Sequence, residues 1–146
     1  MIGAQKAGTT ALFEWLGQHP DVFAPNQAQA MPFFTTELFN KGLEFYEKLF
    51  QGFNNESTIL ASDVNLLFFE NSAEMLYKHN PSLKLLTVLR NPISRAISAY
   101  RYAIERDLEE RTFDQAVNEE IDNLDLYESQ YQQIQKHYLK HGLYHQ

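Results

Sequence analysis

"IGAQKAGTT" (Ile2–Thr10) decides how the rest of the chain is read. Gly3-x-x-x-x-Gly8 followed by Thr9-Thr10 has the spacing of the nucleotide phosphate loop G-x-x-x-x-G-K-[ST]. Thr9 stands where the lysine belongs, however, and Lys6 lies inside the loop. Ile2–Ala4 reads as the end of a strand, and Thr10–Leu16 as a helix, with Leu12, Phe13, Trp15 and Leu16 at roughly helical spacing. A glycine loop between strand and helix turns backbone N–H groups toward one point, and the helix N-terminus adds partial positive charge. Both suit a tetrahedral oxyanion. Gly8 permits close backbone approach, Thr9 and Thr10 supply hydroxyls, and Lys6 supplies a full charge. The same residues also fit a glycine turn capped by threonine beside a solvated lysine, and spacing alone leaves both readings open.

Beyond the loop, Gly17 and Pro20 end the first helix. Asp21–Pro25 is expected to be a short extended piece and Pro25–Phe34 a loop. Lys41–Gln51 carries Leu43, Phe45, Tyr46, Leu49 and Phe50 at helical spacing. Thr58–Ser62 has the length of a buried strand, and Asn71–Lys78 reads as a helix. Leu83–Leu89, "LKLLTVL", is the strongest strand candidate. A long helix is expected over Pro92–Glu110, with an apolar stripe of Ile93, Ala96, Ile97, Tyr100 and Ile104. Phe113–Ile121 and Tyr127–Lys140 read as further helices. Strands alternating with helices predict an α/β fold, a P-loop-like parallel sheet with helices on both faces.

"LLTVLRNPISRAISAYR" (Leu85–Arg101) forms a second site. Arg90 falls at the carboxyl end of the predicted strand, where open α/β sheets gather ligands. Asn91 suits a helix N-cap and Pro92 the first helical position. Ser94 and Ser98, four apart, share one helix face. Arg90 and Ser98 can pinch one phosphate between them; alternatively, Arg90 pairs with a carboxylate and Ser98 faces solvent.

The chain has 146 residues, a length suited to one domain, and no cysteine, which excludes disulfides and thiolate metal sites. Its net charge of −7 argues against a general nucleic-acid surface. The local distribution still allows a small anion: Lys6, Arg90, Arg95 and Arg101 lie in the two motif segments, while Glu105–Glu128 is mostly acidic. No apolar run approaches the roughly 18 residues of a membrane span. No secretory signal pattern opens the chain, and with the lack of cysteine this makes the cytoplasm the expected compartment.

Taken together, the two segments resemble the sulfotransferases that use 3′-phosphoadenosine 5′-phosphosulfate (PAPS). "QKAGTTAL" (Gln5–Leu12) is similar to that family's 5′-phosphosulfate loop, K-x-G-T-T, and "VLRNPISRAISAY" (Val88–Tyr100) to its 3′-phosphate motif. "HPDVF" (His19–Phe23), Phe33-Phe34 and Gly142–Tyr144 are weaker echoes of the Golgi-type and bacterial branch. The resemblance implies PAPS as co-substrate, no metal, and sulfuryl transfer to a hydroxyl or amine of a carbohydrate or small metabolite. Lys6 is implied beside the bridging oxygen between phosphate and sulfur, where it stabilises charge on the leaving phosphate. Ala7, Gly8, Thr9 and Thr10 are implied to hold the 5′-phosphate, and Arg90 and Ser98 the 3′-phosphate.

Family members commonly carry K-E-x-x-F-F, with the Glu as general base. Setting Phe33-Phe34 on that pair puts Gln29 and Ala30 at the Lys and Glu positions. Alanine accepts no proton, so another base is required. Asp63, at the end of "TILASD", is the first substitute and His19 the second; Asp63 equally suits a cap on the following turn. The family fold extends beyond both ends of this sequence, so residues 1–146 are expected to form one sulfotransferase-like domain, incomplete at both ends. A degenerate relative that binds nucleotide or a partner without turnover is a second reading, and Ala30 favours it. A P-loop kinase or NTPase is a third, opposed by Thr9 and by Arg90 where an acidic residue would hold Mg²⁺. Tyr127–Tyr144, rich in Tyr and Gln, is expected to dock on its own core.

Overall fold

Ile2–Ala4 runs parallel to Leu86–Val88. The Ile2 N–H donates to the Leu86 carbonyl (3.0 Å), the Val88 N–H to Gly3 (2.8 Å) and the Ala4 N–H to Val88 (2.7 Å), around a parallel bridge between Gly3 and Thr87. The computed structural model describes residues 1–123 and 137–144. These divide into two compact units, Met1–Ala4 with Gly8–Val88, and Gln5–Ala7 with the chain from Leu89 onward.

The first unit holds a second parallel pair, β1 (Val22–Phe23) with β2 (Thr58–Ile59), in the register Val22 to Thr58 and Phe23 to Ile59. Parallel neighbours require a crossover between them, and the intervening chain supplies helices. These are α1 (Thr9–Leu16) after the first strand segment, then α2 (Leu43–Glu47) and, past β2, α3 (Ser72–His79). With the parallel pairing, they make the chain α/β, as the sequence pattern predicts. Two strand expectations need correction. Leu83–Leu89 pairs only around Thr87, and its leucines are largely exposed, Leu85 by 57%. Thr58–Ser62 contributes only two strand residues, both exposed. A parallel strand is buried when it has neighbours on both edges and helices on both faces; here each has one described neighbour.

The core of this unit is Phe33, Phe34, Leu66 and Leu76, with Met31, Phe45, Tyr46 and Met75 packed against them. Phe33 stacks on Tyr46 at 4.6 Å between ring centroids and meets Phe34 edge-on at 5.0 Å, both within the favoured range for aromatic pairs. Phe33-Phe34, read from sequence as part of a loop, is thus the anchor of the core. α2 is shorter than the predicted Lys41–Gln51 helix because Gly42 adopts φ +80 at its start, and 3₁₀ turns flank it at Glu37–Lys41 and Lys48–Phe50.

In the second unit, α4 (Pro92–Ile104) begins as the sequence predicts: Asn91 Oδ1 accepts from the Ser94 N–H at 3.1 Å, and Pro92 is the first helical residue. It stops six residues before the predicted end. The Leu108 N–H reaches the Ala103 carbonyl (2.9 Å) and the Asp107 N–H reaches Ile104 (3.1 Å), with Asp107 at φ +56. That is a Schellman closure with aspartate in the left-handed position usually taken by glycine, so no glycine marks it in the sequence. The buried face of α4 also differs from the predicted stripe. Ala96, Ala99 and Ala103 pack with Ala116 and Tyr138, whereas Ile93 is 72% exposed and Ile97 and Ile104 lie largely open. Alanines let α5 (Phe113–Asp122) and the Tyr138 ring approach the helix closely, with Tyr100 of α4 and Phe113 packed against the cluster. α5 starts with a capping box, Thr112 Oγ1 accepting from the Gln115 N–H and Gln115 Oε1 from the Thr112 N–H.

Glu120, buried on α5, accepts the N–H groups of Tyr138 (2.7 Å), Leu139 (2.9 Å) and Lys140 (2.9 Å), and so fixes the start of the 3₁₀ turn Lys140–Gly142. Burial works to raise its pKa, but the His137 ring and the three N–H donors outweigh it and hold the carboxyl below its ordinary range. The predicted helix Tyr127–Lys140 lies, up to residue 136, outside the described residues. Among the described residues no helix is long and apolar enough to cross a membrane.

Gly3 tolerates no side chain. Its φ is +139, and a Cβ would meet Leu67 Cβ and the Val64 carbonyl oxygen, each at 3.0 Å. Gly3→Ala is therefore expected to lower the unfolding free energy by about 2–4 kcal/mol, combining left-handed strain with overpacking. Urea denaturation measures it, and an unchanged midpoint would refute the steric account.

Candidate functional site

The glycine loop leads into the amino end of α1. Gly8 takes φ +96, and no side chain caps the helix. The hydrogen-bond ladder begins with the Leu12 N–H to the Gly8 carbonyl (3.1 Å), so the N–H groups of Thr9, Thr10 and Ala11 precede it, as in the first turn of any helix. Thr9 is buried and Thr10 exposed. A Cβ on Gly8 would meet nothing within 4 Å, so backbone conformation, not crowding, calls for glycine here. The Gln29 amide reaches the Thr10 carbonyl at 3.5 Å, which puts the segment aligned with the missing base beside this helix end. Ala30, in the Glu position, adopts φ +53.

In the second unit Lys6 and Arg90, 84 residues apart, come together: Arg90 Nη1 donates to the Lys6 carbonyl at 3.1 Å. Lys6 itself is left-handed, φ +65. Its Nζ sits 4.0 Å from the centroid of the Tyr102 ring, and the Arg106 guanidinium carbon lies 4.4 Å from the same ring. None of Lys6, Arg90 and Arg106 forms an ion pair among the described residues. Partial burial lowers the Lys6 pKa; Glu105 opposes that shift, and Arg106 and Arg90 add to it. Three cations therefore gather without paired carboxylates in a chain of net charge −7, which creates a local field suited to an anion. Among the described residues Arg90 pairs with no carboxylate; its contact is the Lys6 carbonyl.

Ser98 is half-buried on α4, two turns beyond Asn91. Ser94, Ser98 and Tyr102 are spaced by fours on α4, and Arg106, four further on, falls in the turn just past the helix end. Extending that row past Ser98 would have revealed both from the sequence. The other motif residues are structural. Arg95 is fully buried and donates through Nη2 to the Tyr138 carbonyl. The Tyr100 hydroxyl donates to the Arg111 carbonyl at 2.8 Å.

Asp63 lies in the first unit, 5% exposed. Its Oδ2 accepts from the Thr35 hydroxyl and its Oδ1 from the Asn65 N–H, both at 3.0 Å. Burial pushes its pKa up to about 6 against the pull of these two donors. The Asn65 bond is the turn cap considered above, and Thr35 ties the carboxylate to the residue following Phe33-Phe34. His19 is exposed, with Nδ1 accepting from the Asp21 N–H at 3.1 Å. It lies past the far end of α1, about 12 Å along the helix from Thr9, so it is no base for that site.

The sulfotransferase domain family matches residues 1–145. Human heparan sulfate glucosamine 3-O-sulfotransferase 5 is 36% identical over 106 residues, covering 72% of this chain and 30% of that protein. Human bifunctional heparan sulfate N-deacetylase/N-sulfotransferase 1 is 32% identical over 117 residues, covering 73% of this chain and 13% of its own length. The crystal structure of a sulfotransferase from Alicyclobacillus acidocaldarius superposes with a TM-score of 0.83 at 30% identity, over 99% of this chain and 63% of that one. The chain thus spans a third or less of these curated relatives.

Asp63 ties stability to pH. Its raised folded-state pKa means that the folded chain holds this proton while the unfolded chain, at 3.8, has lost it. Unfolding free energy should therefore fall as pH rises from about 4 to about 6, by no more than about 3 kcal/mol. Asp63→Asn should flatten that slope in urea titrations across the range, and an identical slope in the variant would remove Asp63 as its source.

Proposed function

The chain belongs to the sulfotransferase domain family, and from that premise we propose that it binds PAPS and transfers its sulfuryl group to a hydroxyl or amine of a carbohydrate. The observation that carries this is the meeting of Lys6 and Arg90, each without an ion-pair partner among the described residues. The groups present fit the cofactor. Backbone N–H groups at the uncapped start of α1, with Ala7, Gly8, Thr9 and Thr10, would hold the 5′-phosphate. Arg90 and Ser98 would hold the 3′-phosphate, a planar guanidinium being suited to two phosphate oxygens. PAPS supplies an activated sulfuryl group.

Lys6 is assigned to the oxygen on which negative charge grows as the phosphate–sulfur link breaks, and a positioned ammonium there favours the transition state over the ground state. Asp63 is proposed as the group that takes the acceptor's proton. A carboxyl with a pKa of about 6 is mostly ionised at neutral pH while remaining an effective base. The two donors it engages leave lone pairs on both oxygens. The names of the relatives, which concern heparan sulfate and both O- and N-sulfation, support a carbohydrate acceptor. A relative that binds nucleotide without turnover is favoured by Ala30 and by the burial of Asp63.

Calorimetry with adenosine 3′,5′-bisphosphate, in the absence of Mg²⁺, tests the cofactor reading. Binding is expected, with Arg90→Ala and Lys6→Ala each weakening it by roughly 10- to 100-fold, the range for losing a hydrogen bond to a charged group. Binding of Mg²⁺–ATP with no response to the bisphosphate would replace it with the kinase reading. Turnover, where PAPS and a glucosamine-bearing polysaccharide support it, is expected to rise with pH about a midpoint near 6, and Asp63→Asn to cost at least about 10²-fold. Unaltered turnover in that variant excludes Asp63 as the base.

A further inference from the structure

We propose that Tyr102 is a positioning residue that holds the Lys6 ammonium in place through its ring face; this rests on the PAPS reading above. Lys6 is the only residue of the K-x-G-T-T stretch with a full positive charge, and its side chain has several freely rotating bonds. An ammonium needed at one oxygen must be ordered by something. A carboxylate would order it but also cancel its charge. The structure instead sets Nζ 4.0 Å from the Tyr102 ring centroid, within cation–π range and with the charge intact.

Three further features tie the ring to this task. Tyr102 lies on α4 four residues beyond Ser98, on the row that starts at Ser94, so a helix fixes its position. Arg106, a turn later, brings its guanidinium carbon to 4.4 Å from the same ring. It steadies the ring and adds to the positive charge about Lys6. On the backbone side, Arg90 donates to the Lys6 carbonyl and so fixes the Lys6 peptide, leaving the side chain to be ordered by the ring. The groups around the ammonium are thus Tyr102, Arg106, Arg90 and Glu105. Glu105 forms no ion pair with it.

The test combines a spectroscopic and a binding measurement on the full chain. In protein labelled with [ε-¹³C]lysine, the Lys6 ε-methylene signal, assigned by its loss in Lys6→Arg, should be shifted upfield by the ring current. It should move to the ordinary lysine position in Tyr102→Leu and stay shifted in Tyr102→Phe and Tyr102→Trp. Affinity for adenosine 3′,5′-bisphosphate should fall by about 3- to 30-fold in Tyr102→Leu, the span expected for a cation–π contact, and recover in Tyr102→Phe. If Tyr102→Leu does not fold, Tyr102→Met supplies the same comparison with an unbranched, non-aromatic side chain.

An unshifted Lys6 signal in the wild type overturns the proposal. So does a signal that loses its shift in Tyr102→Leu while bisphosphate affinity stays the same. A wild type that binds no bisphosphate overturns the PAPS reading and the proposal together, and the wild-type titration alone identifies that case.

Discussion

The parallel pairing of Ile2–Ala4 with Leu86–Val88 is the constraint on which the meeting of Lys6 and Arg90 depends. Parallel strands run out on the same side, so the segments that follow each of them emerge together. The first continues into Gln5–Ala7, the second into Arg90. The hydrogen bond from Arg90 to the Lys6 carbonyl joins two stretches 84 residues apart. Antiparallel pairing would send these segments to opposite ends. Gly3, at the centre of the pairing, has no room for a methyl group.

Once gathered, the cations have no carboxylate partners among the described residues. Exposed lysines and arginines commonly meet carboxylates, and this chain has nineteen acidic residues against twelve Lys and Arg. Among the described residues, Arg111 bridges Glu109 and Glu119, and Lys78 pairs with Glu74. Around Lys6 the contacts are a carbonyl and an aromatic face, neither of which cancels the charge. Acidic composition overall and cationic character at one point are thus compatible.

Much of this was legible in the sequence, and the limits have physical causes. Asn91 and Pro92 announce the start of α4 because capping is local chemistry, and the helix begins there. Its end was hidden because aspartate holds the left-handed position at Asp107. The isoleucine stripe misleads because hydrophobicity ranks Ile93 and Ile97 above alanine, whereas packing around Tyr138 favours small residues. Phe33-Phe34 does lie outside regular secondary structure, but its place in the core was not legible because its partners, Tyr46 and Leu76, come from distant segments. Lys6 and Arg90 were found by motif, whereas Tyr102 belongs to no motif and was legible only as a continuation of the serine row on α4.

Lys6 also carries a conflict between durability and use. Its backbone is left-handed, a conformation that costs a non-glycine residue of order 1 kcal/mol. Glycine at this position would relieve that cost and make the loop easier to form. It would also delete the one full charge the loop owns. Selection for stability alone would favour glycine here, at the expense of that charge.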